Sequence, residues 1–472
     1  MRVRFAAFAS LAVFLLAATV AGDAPPWVDN FHDASLVLAS SRVVIGGGTV
    51  VLSAAPLVRQ GLQLGSSYEL NTPRVVPSGS SYLLYYAECS GSCSIAVATS
   101  SDLQTWQEIG VVINPGFSGS TDSGGVSYED VILVGSVFHM WYSGLGPGGF
   151  YAIHHATSPN GLNWTARGVV ISSQTIGTSG HVAMPTVLWD GSQFTMWFTA
   201  YSGSSSTDIR WATSADGSAW LQRGRVLAAV QDGLDNAGPR EPTVVRTSYG
   251  LTMWYACVAV WEGTLCRARS LDGGNWSREG AVLSPDPNIA GEDRGVATPG
   301  ALQVSPGSFR IWYVGRGPLN QIYSALGSGE LASSGSIESV PIILPQNATW
   351  GTLVIQKKEP QGASVKVSVL NFSSGQPLAG LANLTITAVS LAGVANDPLM
   401  PIALQATLGG DGQITPEIQS WSIVFGGVSQ KPTPVPNLDF APYIPLLFVA
   451  GGAGGGAAIG WAFIELTSRK RD

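Results

Sequence analysis

Short runs of alternating apolar and polar residues recur along the middle of the chain at intervals of about 57 residues. Trp106, Trp164, Trp220 and Trp276 follow one another at steps of 58, 56 and 56. The alternation predicts β-strands, and each repeat has room for four strands separated by glycine turns. A unit of this size buries too little to be stable alone, which argues against a row of independent sandwiches. Five such segments therefore predict an all-β, five-bladed β-propeller over residues 56–327.

Two further signals recur in each repeat. The pairs Asn160-Gly161, Asp216-Gly217 and Asp272-Gly273 predict a two-residue hairpin between the third and fourth strands. The fifth repeat lacks a tryptophan-bearing fourth strand, so residues 56–64 are predicted to supply it and close the ring. The start of each innermost strand is marked at steps of 57, 55, 57 and 57 by Pro73, Asp130, Pro185, Pro242 and Pro299.

The flanks of the repeat region do not have its pattern. Residues 23–55 are too few to fold alone, whereas residues 328–427 contain several alternating runs around Trp350 and Trp421. Both pieces resemble a β-sandwich module that is common on prokaryotic surface proteins. We therefore expect one β-sandwich built from both flanks, with the propeller inserted into it.

Both ends of the chain carry membrane-targeting patterns. Residues 1–22 begin with Arg2 and Arg4, continue with an apolar run and end on small residues, which predicts a signal peptide. Residues 443–466 predict a transmembrane helix, preceded by a Pro-rich stalk at 428–442 and followed by a basic tail at 467–472. The alternative, a hydrophobic core helix, is disfavoured by the many glycines. The basic tail predicts a single-pass cell-membrane protein with its C-terminus in the cytoplasm and the preceding chain outside.

Cysteines and sequons agree with an exterior location. Cys89 with Cys93 and Cys257 with Cys266 each flank the same turn of the repeat, so we predict two local disulfides among the three possible connectivities. Zinc is the alternative, but the spacing and the nearby histidines do not support it. The N-x-Ser/Thr sequons begin at Asn163, Asn275, Asn347, Asn371 and Asn383.

The charge distribution excludes several classes of function. With 24 Lys plus Arg against 31 Asp plus Glu, the formal net charge is -7, which argues against a nucleic-acid partner. No lysine precedes Lys357, so this part of the chain has no P-loop or Schiff-base lysine. No metal-binding pattern occurs, and we predict neither a metal nor a cofactor.

The unit MWY...ATS-x-D-G-x-x-W...G-x-V-L resembles the five-bladed propellers of the arabinanase, invertase and levansucrase type of glycoside hydrolase, over roughly residues 56 to 327. This resemblance implies a glycan site at the channel mouth, where the inner strands start. The related hydrolases place acids there in their first three blades. The present chain departs from that pattern, with Asn71 and Thr72 in the first blade and His181, Ala183 and Met184 in the third.

Glu129 and Glu241 are the candidate carboxylate pair for inverting hydrolysis, which needs one protonated acid and one ionised base. The alternative is that both are tied to arginines such as Arg240 and only fix the strand starts. Two hypotheses follow: an anchored glycoside hydrolase, or a non-catalytic surface protein that binds glycans or a protein; phosphate-dependent cleavage is a third option. The predicted substrate-binding residues are Asp130, His181, Arg240, Asp293 and Trp261, and Phe150, Tyr151 and Tyr201 are expected near the same rim.

Overall fold

The structure is a computed structural model. It describes residues 24–427 apart from 33, 47, 178–179, 203–205, 231–233, 248–249 and 259–262. The predicted signal peptide, stalk, membrane helix and basic tail lie outside these residues. The described part is almost entirely β-structure, with a single short helix, α1, at Ser173–Ile176. None of its helices has the length and apolar character needed to cross a membrane.

Five antiparallel sheets of four strands each make up the repeat region. The strands that precede the first of these sheets are β1 Trp27–Asp29, β2 Val37–Ser41, β3 Val43–Gly46, β4 Thr49–Leu52 and β5 Val58–Leu64. Blade 1 consists of β6 Glu69–Ser78, β7 Ser81–Ser90, β8 Ser92–Ser100 and β9 Gln107–Ile113. Blade 2 consists of β10 Gly125–Val134, β11 Val137–Leu145, β12 Tyr151–Ser158 and β13 Thr165–Ile171.

The remaining blades repeat this order. Blade 3 consists of β14 Val182–Trp189, β15 Phe194–Ser202, β16 Ser206–Ser214 and β17 Leu221–Leu227. Blade 4 consists of β18 Pro239–Thr247, β19 Gly250–Val258, β20 Gly263–Ser270 and β21 Ser277–Leu283. Blade 5 consists of β22 Val296–Ser305, β23 Ser308–Gly315, β24 Gln321–Ser328 and, from the other end of the repeat region, β5.

The ring closes through β5. This strand pairs antiparallel with β24, in the position that the sequence predicts for residues 56–64. Arg59 on β5 forms a salt bridge of 2.6 Å with the buried carboxylate of Glu292, at the start of blade 5. Each innermost strand also contacts the next, and β22 contacts β6. The all-β, five-bladed propeller predicted from the sequence is confirmed.

One interblade contact explains the period of the aromatic residues. The side chains of Tyr85, Trp141 and Trp197, each on the second strand of a blade, donate hydrogen bonds to glycine carbonyls of the following blade at 2.7, 2.9 and 2.8 Å. The acceptors are Gly161, Gly217 and Gly273, whose φ angles are 75°, 76° and 80°. These glycines lie in the predicted turns. However, the turns span residues 159–164, 215–220 and 271–276, so they are longer than the predicted two-residue hairpins.

Both predicted disulfides are confirmed, Cys89–Cys93 between β7 and β8 and Cys257–Cys266 between β19 and β20. Each one joins the second and third strands of its blade, so it restrains a single hairpin and does not tie one blade to another.

The two flanks pair with each other. β4 pairs with β30, and β2 pairs with β25, in two sheets outside the propeller. Phe31, Val50 and Leu52 from the first flank share one core with Trp350 and Trp421 from the second. The strands of the second flank are β25 Ser334–Ser339, β26 Ala348–Lys358, β27 Ser364–Asn371, β28 Ala388–Ser390, β29 Ile402–Gly409 and β30 Glu417–Gly427. Whether this two-sheet region belongs to the surface-protein module stays a prediction.

The junction between blades 4 and 5 lacks the interblade hydrogen bond, because β5 replaces the fourth strand and its turn. Trp254 is as buried as Trp197, but its indole N–H has no hydrogen-bond partner among the described residues. A hydrogen bond of this kind contributes about 1 kcal/mol to stability. We therefore expect Trp197→Phe to lower the free energy of unfolding by about 1 kcal/mol more than Trp254→Phe. Urea unfolding of both variants measures the difference, and equal losses would contradict this role for the hydrogen bond.

Candidate functional site

A β-bulge near the start of every innermost strand shapes the channel mouth. The pairing with the second strand shifts register at this point in all five blades. One bulge residue in each blade has a positive φ, although none is glycine: Thr72, Tyr128, Met184, Glu241 and Thr298, at 53°, 54°, 60°, 59° and 44°. Such a conformation costs roughly 1–2 kcal/mol per residue. A bulge redirects side chains, which brings different residues to the same place in the five blades.

The bulge corrects the register that the sequence suggests. The spacing of the repeats aligns Asp130 with the prolines at the strand starts, but Glu129 directly follows the positive-φ residue Tyr128, just as Pro73 follows Thr72 and Pro242 follows Glu241. Asp130 is therefore one position further along its strand, in register with Arg74 of blade 1. As a consequence, Glu129 and Glu241 occupy successive positions of the bulge and have different surroundings.

Arg74 lies in the centre of the channel and is 7% exposed. Its Nη1 donates hydrogen bonds to the carbonyl oxygens of Pro299 and Pro73, and its Nη2 donates to that of Pro242 at 3.3 Å. Its Nε lies 3.5 Å from Oδ1 of Asp130. Blade 5 has Gly300 at the equivalent position, where a Cβ atom would collide with the carbonyl of Pro73 and come within 3.0 Å of Nη1 of Arg74. The glycine thus makes room for the guanidinium.

Asp130 connects blades below the mouth. Its Oδ2 accepts a hydrogen bond from the backbone N–H of Val187 in blade 3, at 2.5 Å. The hydroxyl of Thr186 accepts the corresponding bond from blade 4. Burial raises the pKa of Asp130 to about 6, against the opposing effect of Arg74. The geometry thus places this predicted substrate-binding residue among interblade contacts.

Glu129 is completely buried at the wall of the channel. Its Oε2 accepts a hydrogen bond of 3.1 Å from the hydroxyl of Thr72, whereas its Oε1 has no partner among the described residues. Burial raises the pKa of Glu129 to about 8, although the charge of Arg74 and the hydrogen bond from Thr72 oppose this effect. Its carboxyl group is therefore mostly protonated at neutral pH and can donate a proton.

Glu241 has the opposite kind of environment. Its Oε2 accepts a hydrogen bond of 2.7 Å from the backbone N–H of Thr298. Its Oε1 lies 3.3 Å from Nη2 of Arg316 and 3.6 Å from Nε of Arg240. The side chain of Glu241 is buried, and its carboxylate lies near two arginines. This agrees with the alternative interpretation of the sequence, in which the glutamates are tied to arginines such as Arg240. Glu129 and Glu241 both belong to the bulges near the starts of their innermost strands, which places them at the same end of the channel.

Aromatic side chains surround His181, which precedes β14 at the same end of the channel. The His181 ring centroid lies 5.1, 5.8 and 5.4 Å from those of Phe150, Tyr151 and Tyr201. Its Nδ1 accepts a hydrogen bond from the backbone N–H of Tyr151, and burial lowers its pKa. The imidazole is therefore neutral and has its proton on Nε2. Tyr128 adds a further ring, 6.2 Å from that of Tyr151.

The structure brings some predicted residues together and leaves others apart. Glu241, Arg240 and His181 belong to this mouth site. Burial raises the pKa of the Tyr201 hydroxyl, and the charges of Glu241 and Arg240 also affect it. Asp293 is exposed near Gly317, and Trp261 lies outside the described residues. Sequence reasoning missed Arg74, Tyr128 and Arg316, because the other repeats do not share them. Among the described residues no group of three or more His, Cys, Asp or Glu side chains could hold a metal ion.

Comparisons with known proteins identify the fold. No protein-family model matches the chain. Two solved structures, one of BT0996 in an RGII complex and one described as a glycoside hydrolase, each superpose with a TM-score of 0.50 at 16% identity. Each match covers 59% of this chain, and 93% and 92% of the respective structures. The fold is a glycoside hydrolase-like five-bladed β-propeller.

Two curated relatives come from Mycobacterium tuberculosis. Uncharacterized protein MT1551 of strain CDC 1551 and Uncharacterized protein Rv1502 of strain H37Rv are each 29% identical over 197 residues. The matched part is 37% of this chain and spans 63% of the length of each relative. These matches do not test the assignment of the flanks to a β-sandwich module, which stays a prediction.

The protonated state of Glu129 predicts a pH-dependent stability. The folded protein keeps this proton up to about pH 8, whereas the unfolded chain loses it near 4.5. Between these values the native state binds the extra proton, so the free energy of unfolding falls by about 1.4 kcal/mol per pH unit as pH rises. We expect Glu129→Gln, which cannot ionise, to remove this contribution in urea unfolding at pH 5 and 8. Glu69→Gln, at an exposed carboxyl group, is the control, and an unchanged slope in Glu129→Gln would contradict the assignment.

Proposed function

We propose that this protein binds an oligo- or polysaccharide at the mouth of its propeller. The observation that carries the proposal is the group of aromatic rings around His181, one of which, Tyr201, lies within electrostatic range of Glu241, Arg240 and Arg316. Phe150 is 52% exposed, and Tyr128, Tyr151 and Tyr201 are half-buried, so part of their rings is open to a ligand.

This combination of side chains suits a sugar. Aromatic rings offer apolar faces on which the C–H groups of a sugar ring pack, while nearby polar groups fix its orientation. Arg240 and Arg316 supply donors for hydroxyl groups, and Nε2 of neutral His181 supplies one more. The two solved structures with the same fold include one described as a glycoside hydrolase, which supports a glycan ligand for the present chain.

We further propose an extracellular location with a C-terminal membrane anchor. The apolar segments at 1–22 and 443–466 and the basic tail at 467–472 support this orientation. The two disulfides agree with an oxidising compartment. The mouth would then meet glycans outside the cell.

Hydrolysis is the second candidate function, and the different environments of the two carboxyl groups favour it. A carboxyl group that burial keeps protonated, together with a second one that contacts arginines, is suited to general acid and general base roles. Glu129 would donate a proton to the leaving oxygen, and the Glu241 carboxylate would activate water. Both carboxyl groups are buried, however, so a substrate reaches them only after Tyr128 or its neighbours move.

Binding is tested by calorimetric titration of the full chain with arabino-, fructo-, manno- and xylo-oligosaccharides. We expect at least one to bind, and Tyr201→Ala to weaken that binding about tenfold, or roughly 1.4 kcal/mol, through lost ring contact. Leu399→Ala, which removes an exposed side chain of the second flank, serves as the control and leaves the affinity unchanged. Absence of binding across the panel, or wild-type affinity in Tyr201→Ala, would overturn the binding proposal.

Hydrolysis is tested separately by release of reducing sugar from the same oligosaccharides. If the protein is a hydrolase, the double variant Glu129→Gln, Glu241→Gln loses at least about 100-fold in rate, because general acid and base catalysis typically contribute 10²–10⁴-fold. Binding without turnover by the unaltered protein would reject hydrolysis and leave the binding function. Equal turnover in both proteins would exclude this carboxyl pair.

A further inference from the structure

A groove of about 330 Å³ lies between blades 3 and 4, on the face of the propeller opposite the mouth. Trp211 on β16 lines it, together with side chains from the turns at the lower ends of these blades. Its volume is at the lower end of the range of small-molecule sites, and suits one or two sugar rings. None of the mouth residues contributes to this groove.

Trp211 differs from its counterparts in the other blades. The equivalent residues are Val97, His155, Arg267 and Ser324, each paired with the same position of its second strand. All four are at most 2% exposed, whereas Trp211 is half-buried. Blade 3 is therefore the only one of the five that presents a large aromatic surface here.

Small neighbours keep the groove open. Thr195 in blade 3 occupies the position of His139 in blade 2, where Nδ1 of His139 lies 3.1 Å from Nε2 of His155 and both rings fill the space. In blade 4 the corresponding space is occupied by Arg267, whose Nε donates to Glu279 at 2.6 Å. Blade 3 has neither a histidine pair nor an Arg–Glu pair at these positions, so the indole of Trp211 stays accessible.

Polar groups of both charges line the rim. Arg223 and Arg246 are exposed there beside Asp190 and Asp272. Nε of Arg223 donates to the hydroxyl of Thr213 at 3.1 Å, which orients its guanidinium. Oδ1 of Asp190 accepts backbone N–H groups of its own turn, and the acid is held in place in this way. The two positive and two negative charges balance, so an uncharged ligand with many hydroxyl groups fits better than an acidic one.

We infer that this groove is a second carbohydrate-binding site, in which an uncharged pyranose ring of an oligosaccharide packs on Trp211. Its hydroxyl groups bind the arginines and Asp190 at the rim. The site shares no residue with the mouth, and its existence does not depend on the function proposed for the mouth. The ligand class is the same, so a long glycan could engage either face.

The test is calorimetric titration with uncharged manno-, xylo- and gluco-tetrasaccharides, all built of pyranose rings, using the full chain and its Tyr201→Ala variant. We expect binding that survives Tyr201→Ala and that Trp211→Ala weakens at least tenfold. Arg223→Ala should weaken the same binding several-fold. Arg167→Ala is the matched control, because Nε of Arg167 donates to Thr157 in blade 2 as Arg223 does to Thr213, but beside a filled space.

The results separate the two sites. Binding that responds to Trp211→Ala and Arg223→Ala, but not to Arg167→Ala, supports the groove even if the mouth binds nothing. If neither Trp211→Ala nor Arg223→Ala weakens the affinity, the inference is overturned, whatever the effect of Tyr201→Ala. Arg223 is exposed, so its variant keeps the test decisive if Trp211→Ala fails to fold, which thermal unfolding reveals.

Discussion

The buried guanidinium of Arg74 is the contact on which the centre of the ring depends. The bulges turn the carbonyls of Pro73, Pro242 and Pro299 towards the channel, where an unpaired buried carbonyl is costly. Arginine has five N–H donors in a fixed plane, so one side chain serves carbonyls from blades 1, 4 and 5. It also pairs with Asp130 of blade 2, which accepts the N–H of Val187 in blade 3. A single chain of polar contacts thereby reaches all five blades.

This layer also divides the channel into two compartments. Above it lie the two glutamates and the aromatic wall, with Arg74 as the floor. Below it, a cavity of about 390 Å³ is lined largely by apolar side chains that follow this layer on the innermost strands, among them Val75, Val131 and Val187. Burial at this end of the channel keeps the carboxyl group of Glu129 protonated, although the charge of Arg74 opposes this effect.

The sequence predicts those parts of the molecule that recur in it. Trp141 and Gly217 could be recognised because aromatic residues on the second strands and Asn-Gly or Asp-Gly turns recur in several blades, which makes the period visible. The register of Glu129 could not be recognised from the sequence, because a bulge inserts one residue and shifts the register of the strand residues that follow. Arg74 and Trp211 also escaped notice, since the same positions in other blades hold unrelated residues, and only the folded ring shows that these positions face a channel or a groove.

Backbone strain at the mouth does not follow the chemistry of the side chains. The positive φ occurs at Glu241, but equally at Met184 and Thr298, which have no ionisable group. Backbone strain at the mouth is thus a property of the scaffold, offset by the carbonyl contacts to Arg74, and does not by itself indicate activity. What distinguishes the blades is the side chain that each places on the common frame. Because similar bulges surround one axis, the side chains at these positions decide what the mouth can bind, and several of them, such as Glu241 with the N–H of Thr298, also join neighbouring blades.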